Sequence, residues 1–234
     1  MPQTTQTPPA PQAAKPKPKP PEPPAEFREG DIATMDSAAL IGVLKDASST
    51  EFQKAKACQR IGELGPKDAV PALSALLGNE HLSTYARHGL EPMADPSADE
   101  ALRAALPKLK GNLLIGVINS IGKRRDAKGG PALAKLMYDS DASVAVASAA
   151  ALGNIGGLSS MKELQAGLGR TKGMTRMAVA DACLRCAERL LSEGNRDQAL
   201  ALYASLTGPD VPKPARLAAM EGIIREETSI SRPR

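Results

Sequence analysis

The chain has 234 residues, with 30 basic and 26 acidic side chains, a net charge of +4 and a pI near 9.0. Only 2% is aromatic, with no Trp, while 42% is apolar, which argues against an aromatic-rich core and for close-packed helices built on Ala, Leu, Ile and Val. The charge excess is mild and spread along the chain, so it argues against a dedicated nucleic-acid binder, and 20 Gly with 20 Pro predict many short helices.

Residues 1–30 contain the run Pro16-Lys17-Pro18-Lys19-Pro20-Pro21-Glu22-Pro23-Pro24. Proline fixes φ and removes donors, so this segment is expected to be a disordered, extended linker. The N-terminus lacks the apolar run of a signal peptide, and no stretch approaches the roughly 18 apolar residues of a membrane-spanning helix. A cytoplasmic location is the default expectation, with export from a longer precursor left open.

From Asp36 onward the apolar spacing becomes helical, and a repeat is visible. Ile61-Gly62-Glu63-Leu64-Gly65, Ile118-Asn119-Ser120-Ile121-Gly122 and Leu152-Gly153-Asn154-Ile155-Gly156 each read as a helix end closed by a left-handed glycine cap. Ala69-Val70-Pro71-Ala72-Leu73, Gly130-Pro131-Ala132-Leu133 and Met161-Lys162-Glu163-Leu164 begin the second helices. A weaker copy joins Leu90-Glu91-Pro92-Met93-Ala94 to Asp99-Glu100-Ala101-Leu102, which makes Gly65, Ala94, Gly122 and Gly156 equivalent. The predicted helix pairs are 50–64 with 67–78, 81–93 with 97–109, 112–122 with 126–139, and 142–156 with 159–168. Ser48 to Glu51 and Ser160 to Glu163 read as capping boxes, and Asp95 before Pro96 as a cap with a first-turn proline.

The helix end followed by Asp68-Ala69-Val70-Pro71-Ala72-Leu73 resembles short HEAT repeats of the phycobilisome bilin lyase type, over roughly residues 37–170. The resemblance implies an all-α solenoid of antiparallel helix pairs, with the second helices lining the concave face. It also implies that Asp68 and Asp126 cap the second helices. Gly129 and Gly130 in the third unit are expected to loosen the start of its second helix.

Beyond residue 170, Met177, Val179, Cys183, Cys186 and Leu190 form one helical stripe ended by Gly194. Helix 195–206, with Ala199 and Tyr203, resembles a tetratricopeptide unit as much as a HEAT unit. A last helix over 215–227 has no partner after it, so Leu217, Met220, Ile223 and Ile224 form an expected terminal interface open to end-to-end self-association. The expected organisation is a linker to residue 30, HEAT-like repeats over 36–170, further helical repeats over 171–228, and a disordered tail over 229–234.

Chemistry-bearing residues are sparse. Cys183-x-x-Cys186 falls mid-helix on the apolar stripe without a second ligand pair, so it reads with Cys58 as core cysteine. His81 and His88 read as surface histidines two turns apart on one helix. HEAT-like di-iron hydroxylases of the deoxyhypusine type use repeated His-Glu dipeptides, but here Leu82 and Gly89 follow the two histidines. No catalytic residue, metal site or cofactor is expected. The densest basic cluster is Lys123-Arg124-Arg125 with Lys128, joined by Lys108 and Lys110 in a possible patch for a partner. The function expected is a protein-binding scaffold whose partner lies on the concave face. The alternatives are a bilin-lyase-like enzyme or chaperone-lyase and, more weakly, nucleic-acid binding through the Lys108–Lys128 region.

Overall fold

The computed structural model describes Pro24 and residues 30–230. The expected linker and the last four residues fall outside the described residues. Twelve α-helices follow one another without a strand among the described residues: α1 (Ser37–Lys45), α2 (Glu51–Leu64), α3 (Val70–Ala75), α4 (Ser83–Leu90), α5 (Ser97–Ala105), α6 (Gly111–Arg124), α7 (Gly130–Leu136), α8 (Ala142–Ile155), α9 (Gly157–Arg170), α10 (Gly173–Ser192), α11 (Arg196–Ser205) and α12 (Lys213–Ile230). None of these helices is long and apolar enough to cross a membrane.

The helices form a two-layered α-solenoid of antiparallel pairs. In one layer α2, α4, α6, α8 and α10 stack in order; α3, α5, α7, α9 and α11 run back along the other. Helix α1 packs against α2 and α3, and α12 packs against α10 and α11. The core between the layers is aliphatic, with Leu73, Leu102, Ile118, Ile121, Leu133 and Leu152 all fully buried.

Glycine sets the spacing of the first layer. A Cβ on Gly122 of α6 would lie 2.8 Å from the Cα of Ala151 on α8, and one on Gly153 would lie 2.8 Å from the Cα of Ala182 on α10. Gly62 of α2 meets the backbone of Gly89 on α4 in the same way, at 3.3 Å. With hydrogen in place of a side chain, helix axes approach closely and dispersion contacts multiply.

This packing corrects the register of the repeat. Gly122 lies inside α6, and the left-handed cap falls three residues later on Arg125 at φ 56. The equivalent packing positions are therefore Gly62, Gly122 and Gly153, and the equivalent caps are Gly65, Arg125 and Gly156. Arg125 is the one non-glycine residue at positive φ among the described residues, a conformation that disfavours a side chain by about 1 kcal/mol.

Local start signals moved as well. The capping box of α2 is Thr50 with Gln53, while Ser48 bonds the carboxylate of Asp46. Paired positive-φ glycines, Gly156 and Gly157, turn α8 directly into α9, so Ser160 is buried inside α9 and caps nothing. Asp95 accepts the Ser97 N–H at 2.9 Å, as expected of a cap before Pro96. Asp126 accepts the Lys128 N–H at 3.1 Å, whereas exposed Asp68 caps neither its turn nor α3. Gly129 has a packing reason to be glycine, since it is buried against Ile121, whose Cγ2 would be 2.7 Å from an added Cβ, while Gly130 at the start of α7 has open space around it.

Replacing an exposed helical glycine with alanine normally stabilises a helix by up to about 1 kcal/mol. Gly42→Ala, in α1 with open space around it, is expected to follow that rule. Gly122→Ala is expected to reverse it, losing about 1–3 kcal/mol because α6 and α8 must separate. Urea unfolding of the two variants measures the opposite signs.

Candidate partner-binding surface

Helix α8 is the middle of the C-terminal three helices of the first layer. Its fourteen residues, ASVAVASAAALGNI, carry no charge, and its inward positions pack against α6, α9 and α10. Its outward positions, Ala142, Ser143, Val146, Ala150 and Asn154, are not fully buried and are also small. Larger residues on the flanking helices stand above them: Ile115 and Asn119 on α6, and Met174, Met177 and Asp181 on α10. The result is a trough of about 580 Å³ floored by α8. Met174 is 69% exposed and Met177 53% exposed, so Met177 faces the trough and does not join the buried stripe of Val179, Cys183, Cys186 and Leu190.

A second groove of about 350 Å³ follows at the C-terminal ends of the same helices. Gly153 and Asn154 lie between Arg125 on one side and Arg185, Glu188, Arg189 and Ser192 on the other. Arg189 pairs with Glu193 at 2.8 Å. Arg125 and Arg185 are exposed, and among the described residues their side chains carry no ion pair or hydrogen bond.

The basic cluster read from the sequence divides. Arg124 is only 7% exposed. It bonds Asp99 at 2.5 Å and donates to the carbonyls of Leu90, Glu91 and Met93 at 2.8, 2.9 and 2.6 Å, closing the C-terminal end of α4. Lys123 pairs with Glu91 at 2.6 Å, and Glu91 also accepts from Ser120 at 2.8 Å. Lys108 and Lys110 precede α6 whereas Lys123, Arg125 and Lys128 end or follow it, so a helix length of roughly 20 Å separates the two groups. All of these lysines and Arg125 are exposed. Sequence proximity had joined groups that the antiparallel layout places on opposite edges.

A third groove, of about 520 Å³, lies over the ends of α2, α4 and α6 and is lined by Gln59, Glu63, His88, Glu91 and Lys123. Its central carboxylate, Glu91, is already engaged by Ser120 and Lys123, which leaves it poorly placed to act as a free base. His81 does not share a helix with His88: it lies in the turn before α4, with Nδ1 3.7 Å from Glu51. Cys58, Cys183 and Cys186 are free and fully buried. Burial pushes the Cys58 and Cys183 thiols up to about 12 and the Cys186 thiol up to about 11, which keeps all three protonated and unreactive at neutral pH. Among the described residues no group of three or more His, Cys, Asp or Glu side chains could hold one metal ion.

Helix α12 buries Ala215, Ala219 and Gly222 and leaves Ala218 exposed. Gly222 lies against the ring of Tyr203, 2.8 Å from an added Cβ. Leu217, Met220 and Ile224 are turned outward at 49%, 39% and 59% exposure, and Ile223 is half-buried against the core. This face was legible only as an apolar stripe, because hydrophobicity alone does not say that the alanines would be the buried side.

No family model matches the sequence, and no curated protein does. Among solved structures the chain is similar to human deoxyhypusine hydroxylase in complex with glycerol, over 85% of each chain, at 14% identity and a TM-score of 0.34.

Replacing Arg124 with alanine would strand the buried carbonyls that end α4 and leave Asp99 without its partner. The expected loss is roughly 2–4 kcal/mol. Lys123→Ala, whose side chain is 65% exposed, is expected to lose less than about 1 kcal/mol. Chemical denaturation of both variants checks that ordering, and equal losses would contradict the distinct roles assigned here.

Proposed function

We propose that the protein is a non-catalytic interaction scaffold built on HEAT-like repeats, grading into a tetratricopeptide-like unit at α11 and α12, and that it binds a protein partner on the face of its first helices. The observation that carries this reading is α8, an uncharged helix whose outer side lies open to water at the floor of a trough. A helix without a single charged residue is normally enclosed, so the trough is a surface suited to being covered. The repeats of 36–170 and the helices of 171–228 serve this role as one array, since α10 stacks on α8 through the same kind of glycine contact that joins α8 to α6.

The sequence expectation placed the concave face on the second helices. The open trough over α8 favours the outer side of the first helices as the binding face instead, whereas the second helices α3 and α5 bear a smaller groove lined by Ser74, Leu77, Ala104 and Leu109.

Photo-crosslinking tests the assignment of faces. A benzoylphenylalanine placed at position 177 on the first-helix face is expected to give a discrete protein adduct in the native cell, and one at position 104 on the second-helix face is not. Adducts from 104 alone, or nucleic acid captured at 177, would sink the reading.

The reading extends to the end of the array, where Leu217, Met220 and Ile224 are proposed to support end-to-end self-association. Sedimentation is expected to show concentration-dependent dimers that Ile224→Asp abolishes, with the unfolding midpoint nearly unchanged because Ile224 is 59% exposed. A monomer at all concentrations would contradict it.

A further inference from the structure

The array is not uniform along its length. Helix α6 packs on α8, and α8 on α10, over much of their lengths. Helix α4 has only eight residues, roughly 12 Å, against fourteen in α6. It and α5 meet α6 over shorter stretches, although the aliphatic core continues across the joint with Leu90, Leu102 and Ile118.

Polar bonds take the place of the missing contact. Arg124 on α6 holds Asp99 on α5 and the carbonyls that end α4. Lys123 and Ser120 both donate to Glu91, and Arg103 on α5 pairs with Asp126 just after α6. No ion pair joins α6 to α8 or α8 to α10 among the described residues.

Three physical differences make this joint the place where the array parts. Separating apolar helices loses the whole hydrophobic term, whereas parted donors and acceptors recover most of their strength from water. Hydrogen bonds also weaken steeply with distance and angle, so they let go together, while dispersion contacts tolerate sliding. Arg87 adds a cost that opening relieves, because its Nε is buried against Gly116 of α6 without a hydrogen-bond partner.

We infer that the joint between α4–α5 and α6 is a conformational clasp: the array opens there as two blocks, α1–α5 and α6–α12, with Arg124 as the latch. The trough over α8 is lined from α6, α8 and α10 alone, so it stays whole when the clasp opens. The groove of about 520 Å³ spans the joint and changes shape, since Gln59, Glu63, His88 and Glu91 lie on one block and Lys123 on the other. The first block thereby moves against a fixed trough, whatever occupies that trough, and the inference does not depend on the scaffold reading.

Native-state hydrogen exchange of the full chain in sub-denaturing urea reads the two blocks separately. Amides of α2, α4 and α5 are expected to open together, at lower urea than those of α6, α8 and α10. Arg124→Gln is expected to speed exchange in α2, α4 and α5 at least about tenfold and to leave α8 and α10 unchanged. Should that variant fail to fold, Asp99→Asn keeps the three carbonyl bonds of Arg124 and is expected to give a smaller shift in the same block. Spin labels read the movement itself, and the buried native cysteines leave only introduced ones to react. Arg124→Gln is expected to broaden the distance between labels at exposed Lys45→Cys and Glu163→Cys, across the joint. The distance between Glu163→Cys and Asp197→Cys, within the second block, is expected to hold. Both blocks exchanging together in the wild type, a variant that speeds both alike, or an unchanged distance across the joint would each overturn the clasp.

Discussion

The contact on which the rest of the molecule depends is the near absence of side chains where first helices cross. Gly122 against Ala151 and Gly153 against Ala182 let three helices touch at backbone distance. Once that spacing is set, there is little room for large residues in the first layer. The low aromatic content follows from this geometry. Tyr203, the largest fully buried side chain, lies against Gly222 at the end of the array, where α12 turns a glycine toward it. Small-residue contact also gives α8 its double character. A helix that must sit close to both neighbours is built mostly from Ala, Ser, Val and Gly, so its outer side is small and uncharged as well.

The crossing of α4 on α6 is built differently. A Cβ on Gly116 would lie 2.7 Å from the guanidinium of Arg87, whose half-buried side chain lies across the joint. Ser120 accepts from Arg87 and donates to Glu91, and Arg124 bonds the last carbonyls of α4. Burial lowers the affinity of Arg87 for its proton, and Glu91 opposes that shift, which keeps the ion pair formed. A polar joint of this kind is directional: each hydrogen bond fixes one rotation of α4 relative to α6, whereas glycine contacts permit sliding. The same interactions bury the Arg124 side chain and tie the exposed Lys123 to Glu91, so part of the basic run that stood out in the sequence joins two units.

The helical architecture was legible because period, glycine spacing and turn residues agreed. Each predicted helix exists, with ends shifted by a few residues. Of the predicted pairs, only α8 and α9 lie in close backbone contact, and α3, α5 and α7 lie closer to the first helix that follows them. The register was not legible. Ile118-x-x-Ile121-Gly122 and Ile121-Gly122-x-x-Arg125 both satisfy an apolar, small, cap pattern offset by three residues, nearly one helical turn. Only the contact with Ala151 shows which glycine packs, and the true cap was hidden because it is an arginine. Capping boxes failed for a related reason: Ser48, Thr50 and Ser160 are chemically alike, and the choice among them lies in how the chain enters the helix. Exposure on α12 was hidden by the same rule that built α8, since in this fold closeness matters more than hydrophobic bulk.

That rule also explains how the candidate surface was missed in the sequence while its residues were in plain view. Sequence reading seeks a site where reactive or charged groups cluster, and here the informative segment is one without charge. In an ordinary amphipathic helix the solvent side declares itself by Lys, Glu or Arg every third or fourth residue. Across α8 that declaration is missing, and Asp141 before it serves as the N-cap, bonding the Ser143 N–H at 2.8 Å. The side chains that line the trough come from separate places in the chain, with Ile115 and Asn119 on α6 and Met174, Met177 and Asp181 on α10. They become one surface only because the first helices run parallel and close, and the glycine contacts that enforce this also create the trough between them.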